Sequence, residues 1–422
     1  MIGFNQKNGL LHVDEVPLDF LAQEYGTPLY VYSASKIREK VTRLNTALNK
    51  YFDSDALPLL AFACKANSNQ AVLSLLAKLE MGCDVVSGGE LTRALSAGIP
   101  PHKIVYSGVG KSDEELMFAI EQDILQINVE SRAELERIIA ISSAKQKRAR
   151  IAFRFNPDVK AHTHDKISTG RREDKFGISR EEIEELYPYA DKHDCLSVQG
   201  IHMHIGSQLT QVGPFKNAYL KLAELVEHLK GMNLQVPCLD IGGGLGIVYK
   251  DEQPLDLDEY AKTIHEIIAP LNTALIIEPG RFITGDAGIL LSGVSYIKET
   301  KARNHVILDA GMNDLIRPTL YDAYHEIKSV NPSNHSEKTY DIVGPVCETG
   351  DTFQKNVALP ALKAGDLIAI MCSGAYGAVM ASNYNTRPLT AEVMVDGENH
   401  ALIRQKQTIQ DIIDKEIIPD WL

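Results

Sequence analysis

From about residue 58 the chain alternates eight times between a short apolar run and an amphipathic stretch, and this alternation limits the fold more than any other feature. The runs are LLAFACK (59–65), CDVVS (83–87), IVYSG (104–108), LQINVE (125–130), RIAFRFN (150–156), QGIHMHIG (199–206), CLDIGGG (238–244) and ALIIEPG (274–280). Segments between them, among them NQAVLSLLAKLE, SDEELMFAIEQ, SRAELERIIAI and NAYLKLAELVEHLKGM, carry apolar residues at i, i+3 and i+4, the period of a helix with one buried face. Ser112 with Glu115 and Ser131 with Glu134 have the spacing of N-terminal capping boxes. Parallel strands need long crossovers, which helices supply, so eight such units in about 225 residues predict a (β/α)8 TIM-like barrel. An open doubly wound sheet shares the alternation. The barrel is preferred because polar and glycine residues recur where the runs end: Lys65, Ser87, Ser107, Asn156, His204 to Ser207, Gly242 to Gly244, and Glu278 to Arg281. A barrel gathers those ends at one mouth.

After residue 285 the texture changes to β-branched runs with turn signals, including GILLSGVSYIKET, NHVILDAG, YDIVGP, DLIAIMC and AEVMVDGE. The expected division is therefore a barrel over 31–285 and a β-rich domain, sandwich or barrel, over 286–422. Residues 1–30 hold the start of the strand-like PLYVYS and could serve either domain; they are assigned to pack with the C-terminal one. The segment 329–340, SVNPSNHSEKTY, is expected to be an exposed loop. With 422 residues, 44% of them hydrophobic and 23% charged, there is material for a sizeable core.

A net charge of −13 argues against general affinity for nucleic acid or anionic lipid. No apolar run reaches membrane-span length, and the start lacks a basic segment followed by a long apolar one, so a cytoplasmic protein is expected. Six scattered cysteines (64, 83, 195, 238, 347 and 372) without a CxxC fit neither a disulfide framework nor a zinc cluster, and are expected as reduced thiols.

Lys65, at the end of the apolar run FACKAN, is a Schiff-base candidate, since partial desolvation makes an amine nucleophilic towards an aldehyde. The plainer reading is a lysine reaching from a strand end to water. DIGGGLG (240–246) puts three glycines directly after a strand, where backbone amides can cradle a phosphate, and EPGR follows the next strand. Turns after the seventh and eighth strands are where barrels often hold phosphate. An acid at that mouth, Glu278, would repel an anion unless it faced a cationic part of the same ligand, such as a protonated pyridine nitrogen. The alternative is a structural pairing with Arg281 or Arg154. His202 and His204, two apart, are assigned to opposite strand faces and not to a shared metal, and no metal site is expected. His204 could lie on a flat ring and Ser207 could donate to phosphate, with His202 a hydrogen-bonded core residue. Together these groups describe a pyridoxal 5'-phosphate site.

The motifs FACKAN, GCDVVSGGEL, FRFNPDVKAHTH, KFGI, HMHIGSQ, DIGGGLG, EPGR, RPTLYDAYH, GPVCETGD and GAYGAVMASNYNTRP lie within a stretch of similarity from about residue 20 to residue 395. As a set they resemble the fold type III pyridoxal phosphate-dependent decarboxylases, and within them the diaminopimelate decarboxylase family. The resemblance implies decarboxylation of meso-2,6-diaminopimelate to L-lysine. It implies cofactor attachment at Lys65, His204 on the ring, Glu278 at its nitrogen, and Asp84 and Arg154 as supporting polar residues. Ser207, Gly243, Gly244, Pro279, Gly280 and Arg281 would surround the phosphate. By the same resemblance Cys347 is the proton donor and Glu348 a contact to the substrate amine, both reaching the active site of a partner subunit in a homodimer with shared sites. Arg281, Arg317 and Tyr321 would hold the distal carboxylate, and Tyr376 would touch cofactor and substrate. Residues 161–177 would be a flexible loop near the cofactor. The alternatives are a decarboxylase of arginine, ornithine or a carboxylated polyamine, or a non-catalytic binder of the cofactor.

Overall fold

The computed structural model describes residues 2–159, 175–331 and 336–422. They fall into two compact units, one of Lys40–Val248 and Glu252–Phe282, the other of Met1–Glu39, Tyr249–Asp251 and Ile283–Leu422.

The first unit is a closed parallel barrel of β1 (Leu59–Ala63), β2 (Gly82–Val85), β3 (Ile104–Tyr106), β4 (Gln126–Val129), β5 (Ala149–Phe155), β6 (Leu196–Met203), β7 (Cys238–Asp240) and β8 (Ala274–Ile277). Pairing of β8 with β1, Ile276 opposite Leu59 and Ile277 opposite Leu60, closes the ring and rules out the open sheet. Strands enclosed by helices on one side and the barrel interior on the other are apolar nearly throughout, which is why they read as continuous runs. Phe62, Val105, Ile127, Phe153, Ile201 and Leu239 are all buried.

Seven helices follow β1 to β7 in turn: α1 (Gln70–Lys78), α2 (Gly88–Ser96), α3 (Asp113–Glu121), α4 (Arg132–Lys145), α5 (Arg180–Asp191), α6 (Gly213–Gly231) and α7 (Leu257–Ile267). The last was not among the segments singled out, although its signal is present: Asp256 caps it by accepting from the amides of Asp258 and Glu259. Of the two expected capping boxes, Ser112 with Glu115 is complete. Ser131 accepts from the Glu134 amide, but the Glu134 side chain does not return to it. That carboxylate accepts instead from the Glu130 amide at 2.7 Å and from Lys111 Nζ at 2.9 Å. A buried cation outcompetes the local cap.

In the second unit, strand Gly288–Glu299 is the hub of a nine-stranded mixed sheet, pairing antiparallel with Leu29–Ser33, Asn304–Leu308 and Leu367–Ile370. Side chains alternate across it, as a period of two requires. Leu29, Val31, Ile289 and Leu291 enter one apolar core; Tyr30, Tyr32 and Leu290 enter another. The sheet is thus buried on both faces, and PLYVYS belongs to it. Residues 337–340, expected in a loop, open the strand Glu337–Val343, and Ser329 ends the strand Ile327–Ser329. Antiparallel pairing with Thr352–Pro360 draws the polar EKTY segment into the ladder. Residues 332–335 of that expected loop, and 161–174 of the loop expected near the cofactor, lie outside the described residues. Among the described residues no helix is long and apolar enough to cross a membrane.

Lys111, on the barrel unit, is buried and donates to the carbonyls of Gly108 and Asn128 as well as to Glu134. Replacing it by Met strands the Glu134 carboxylate, at an expected cost of about 3–5 kcal/mol. Urea unfolding followed by circular dichroism measures this. The double variant Lys111→Met/Glu134→Leu recovers part of the loss, because no uncompensated charge remains.

Candidate active site in the barrel mouth

Lys65 sits just past the end of β1, in a single 3-10 turn, Cys64–Ala66, rather than on the strand itself. Its Nζ donates to Asp84 Oδ2 at 2.7 Å. Asp84 lies on the neighbouring β2, in register with Ala63, and is fully buried. Burial pushes the Asp84 carboxyl up, the negative charge of Glu278 adds to that, and Lys65 opposes both. The lysine side chain keeps 34% of its surface exposed, so the amine is within reach of a ligand.

Glu278 follows β8 and is buried, with Oε2 3.5 Å from His202 Nε2. Its Oε1 has no hydrogen-bond partner among the described residues. Burial favours a proton on this carboxyl, but His202 and then Lys65 outweigh burial and hold it well below the usual range. His204 Nδ1 accepts from the Gly243 amide at 3.2 Å, which leaves the ring proton on Nε2. Burial first, then the charges of Lys65 and Arg154, lower His204 to about 3, so it is a neutral imidazole. Both imidazoles act on Glu278, which corrects their assignment to opposite faces. Strand side chains alternate with a period of two, so positions 202 and 204 share a face.

The glycine loop after β7 is wedged between its neighbours. A Cβ on Gly243 would lie 2.0 Å from the Glu278 carbonyl oxygen, and Gly242 and Gly244 adopt φ of +70° and +102°, which disfavour a side chain. The segment after β6 clasps this loop: Leu209 N donates to Gly244 O at 2.9 Å, Gly246 N to Leu209 O at 2.9 Å, and Gln208 Nε2 to Ile247 O at 2.6 Å. On the other side the Ala63 amide donates to Pro279 O, and a Cβ on Gly280 would press the Ala63 methyl at 3.0 Å. Arg281 Nη2 donates to Ser207 Oγ at 3.1 Å.

Glu278 is therefore not a structural partner of either arginine. Arg154 pairs with Glu130 at 2.6 Å, and Glu130 also accepts from the amides of Gly108 and Gly177. Asp84 and Arg154, expected as supporting residues, serve different partners, Lys65 and Glu130. Nothing in the motifs marked Glu130; it is the residue after a strand whose role is visible only in three dimensions. A reachable amine, a glycine cradle too tight for side chains and an ionised carboxylate with an unused acceptor atom match the aldehyde, phosphate and ring nitrogen of pyridoxal phosphate.

Arg317, Tyr321, Cys347, Glu348 and Tyr376 belong to the second unit. Arg317 and Tyr321 open and close the short helix Arg317–Tyr321, four positions apart and so on one side of it. Arg317 Nη1 donates to Tyr249 Oη at 3.1 Å and to His325 Nε2 at 2.9 Å. His325 Nδ1 donates to the Met371 carbonyl, which leaves Nε2 as the acceptor. His325 closes the RPTLYDAYH motif and could have been picked out; Tyr249 carried no signal. Cys347 is exposed, and its amide and Sγ both donate to Asn385 Oδ1, at 3.3 and 3.4 Å. Tyr384 donates to the Glu348 carboxylate. The turn that carries both is held from inside by the buried Asp351, which accepts from the amides of Met312 and Val346 at 2.7 and 2.6 Å. Tyr376, partly buried, has a φ of +56° in the GAYG turn.

The depressed His204 gives a pH dependence with a definite sign. An unfolded histidine takes its proton near 6.5, whereas the folded one resists until about 3, so its contribution to stability is complete above 6.5 and is lost as pH falls towards 3. Thermal midpoints of the cofactor-free protein measured across that range should fall more steeply for the wild type than for His204→Gln.

Residues 34–285 match the family model of the pyridoxal-dependent decarboxylases, pyridoxal binding domain. The diaminopimelate decarboxylase of Zymomonas mobilis is 49% identical, covering 100% of both chains, and that of Pseudomonas aeruginosa is 45% identical, covering 97% of each. A crystal structure of diaminopimelate decarboxylase from M. jannaschii in complex with L-lysine superposes with a TM-score of 0.95 at 38% identity, over 100% of both chains. The chain belongs to the diaminopimelate decarboxylase family of pyridoxal phosphate-dependent enzymes.

Proposed function

We propose that this chain removes CO2 from meso-2,6-diaminopimelate to give L-lysine, with pyridoxal 5'-phosphate attached at Lys65. The observation that carries this reading is that one barrel mouth holds a reachable lysine on Asp84 together with a buried Glu278 whose Oε1 has no partner among the described residues. The relatives named diaminopimelate decarboxylase, one of them bound to L-lysine, support the choice of substrate.

When bound, the cofactor supplies an aldehyde for the substrate amine and a protonated ring that accepts the electron pair left by departing CO2. Asp84 holds the Lys65 ammonium near the position where it must exchange with the substrate amine. Glu278 keeps a proton on the ring nitrogen, and the neutral His204 would offer the flat face of its imidazole without adding charge. The amides and glycines of 243, 244 and 280, with Ser207 and Arg281, would hold the phosphate, as backbone donors at a strand end do. Arg281, Arg317 and Tyr321 would receive the distal carboxylate, to which a guanidinium presents paired donors. The distal ammonium of ornithine or lysine would be repelled there. Tyr376 would contact both ligands.

Cys347 would return a proton to the carbon that has lost CO2, and Glu348 would meet the substrate amine, both from a second copy of the chain. The exposure of Cys347 supports this arrangement, since a thiol meant to serve its own unit's core would be buried. Its hydrogen bond to Asn385 directs the S–H. Six free thiols support a reducing, cytoplasmic setting.

Borohydride treatment of the yellow holoprotein should fix the cofactor on the peptide containing Lys65, and CO2 should be released from meso-diaminopimelate but not from ornithine, lysine or arginine. Arg317→Ala should lose diaminopimelate turnover mainly through KM. Ornithine turnover without diaminopimelate turnover would refute the substrate. Mixing inactive Lys65→Ala and Cys347→Ala chains should restore about a quarter of wild-type activity through random heterodimers with one intact site. No recovery would refute the shared site.

A further inference from the structure

Beneath Glu278 lies a second buried acid, Asp240, the last residue of β7, to which neither the motifs nor the preceding steps give a role. It is fully buried. His202, on β6, stands directly opposite it in the strand register, and β8, which ends just before Glu278, flanks it on the other side. One carboxylate oxygen of Asp240, one of Glu278 and one ring nitrogen of His202 all lie within 4.8 Å of one another. Asp240 Oδ1 accepts from the Gly242 amide at 3.1 Å, and Oδ2 from Gln126 Nε2 at 3.4 Å. Among the described residues no lysine or arginine forms an ion pair with it. Two buried carboxylates this close disfavour each other's charge, which favours one proton held between them.

We propose that Asp240 is an un-ionised carboxylic acid that donates its proton to Glu278, and that it acts as a positioning residue which keeps Glu278 charged and aimed at the cofactor's ring nitrogen. The proposal rests on the role of Glu278 put forward above. Its electrostatics agree: burial, then the charge of Glu278, push the Asp240 carboxyl well up, while Glu278 is held down. The proton therefore belongs to Asp240. The titratable and charged groups facing it are Glu278 after β8, His202 on β6 and Asp84 on β2, with Lys65 acting through Asp84 and Glu278; β4 contributes the neutral Gln126. Were Asp240 ionised, its charge would draw a proton onto Glu278 and leave the ring nitrogen without an anionic partner.

Asparagine copies the shape and donor capacity of a protonated aspartic acid, whereas leucine copies only its bulk. In the cofactor-free protein at neutral pH, the infrared spectrum of the wild type should contain the carbonyl stretch of an un-ionised carboxylic acid, and Asp240→Asn should abolish it. A folded group that binds its proton more tightly than the unfolded one stabilises fully below the unfolded value of 3.8 and loses that contribution as pH rises. Asp240→Asn should therefore have a higher thermal midpoint than the wild type at neutral pH, with the gap closing on acidification. In the holoprotein, Asp240→Asn should keep the wild-type cofactor absorbance and nearly all of kcat. Asp240→Leu should shift that absorbance and lower kcat by about 10–100-fold, the usual loss when a residue that orients a ligand-contacting group is removed.

Absence of the infrared band, its survival in Asp240→Asn, or a stoichiometric metal ion in the purified protein would overturn the proposal. Wild-type absorbance and turnover in Asp240→Leu would overturn the positioning role, whereas unchanged absorbance and turnover in Glu278→Gln would instead refute the role of Glu278 at the ring.

Discussion

An ionised carboxylate buried in a protein must be held there by partners that favour its charge, and the barrel mouth is organised around that requirement at Glu278. Burial works against the charge; His202 and Lys65 work for it. These residues come from the ends of different strands, β6, β1 and β8, and only a ring in which β8 closes on β1 brings them together. An open sheet would leave β1 and β8 as separate edges and Glu278 without its lysine. The fold is therefore a condition of the electrostatics.

The polar interior extends past the mouth. Asn128 Nδ2 donates to Ser107 Oγ at 2.9 Å, and Gln126 Nε2 donates to Asn128 Oδ1 at 2.8 Å and to Asp240 Oδ2 at 3.4 Å. Asp240 is thereby connected to Ser107 around the inside of the barrel by neutral donors and acceptors. The second unit solves a different problem. Cys347 and Glu348 are exposed, and their turn is anchored by the buried Asp351 through two backbone amides. A rigid support below an exposed thiol keeps its direction without covering it.

Much of this could be read along the chain. The eight barrel strands stood out as short, largely apolar runs despite the buried Asp84, Gln126, Asn128, Arg154, His202 and Asp240, and their polar ends pointed to Lys65, His204, the glycines and Glu278. Helix α7 was missed although Asp256 caps it, because the long stretch from 245 to 256 that precedes it has no periodicity. The strands Thr352–Pro360 and Asn399–Arg404 were missed because they lie towards the ends of the sheet and expose much of their length, so their alternation is diluted by polar residues. Partners that act across the barrel, such as Glu130 with Arg154 or His202 with Asp240, leave no local pattern. The reversed faces of His202 and His204 were an error in applying strand geometry and owe nothing to tertiary context.

The contact between Gly243 and the Glu278 carbonyl has a further consequence. The Glu278 amide donates to the Gly242 carbonyl at 2.9 Å, and there is no room for even a methyl group at Gly243, so the glycine loop and the acid's backbone can neither separate without losing that bond nor come closer. The spacing between the two ends of a bound ligand is thus set like the jaws of a fixed gauge. A compound with a longer or shorter arm between its anionic group and its basic nitrogen would have to deform the barrel itself to be accepted.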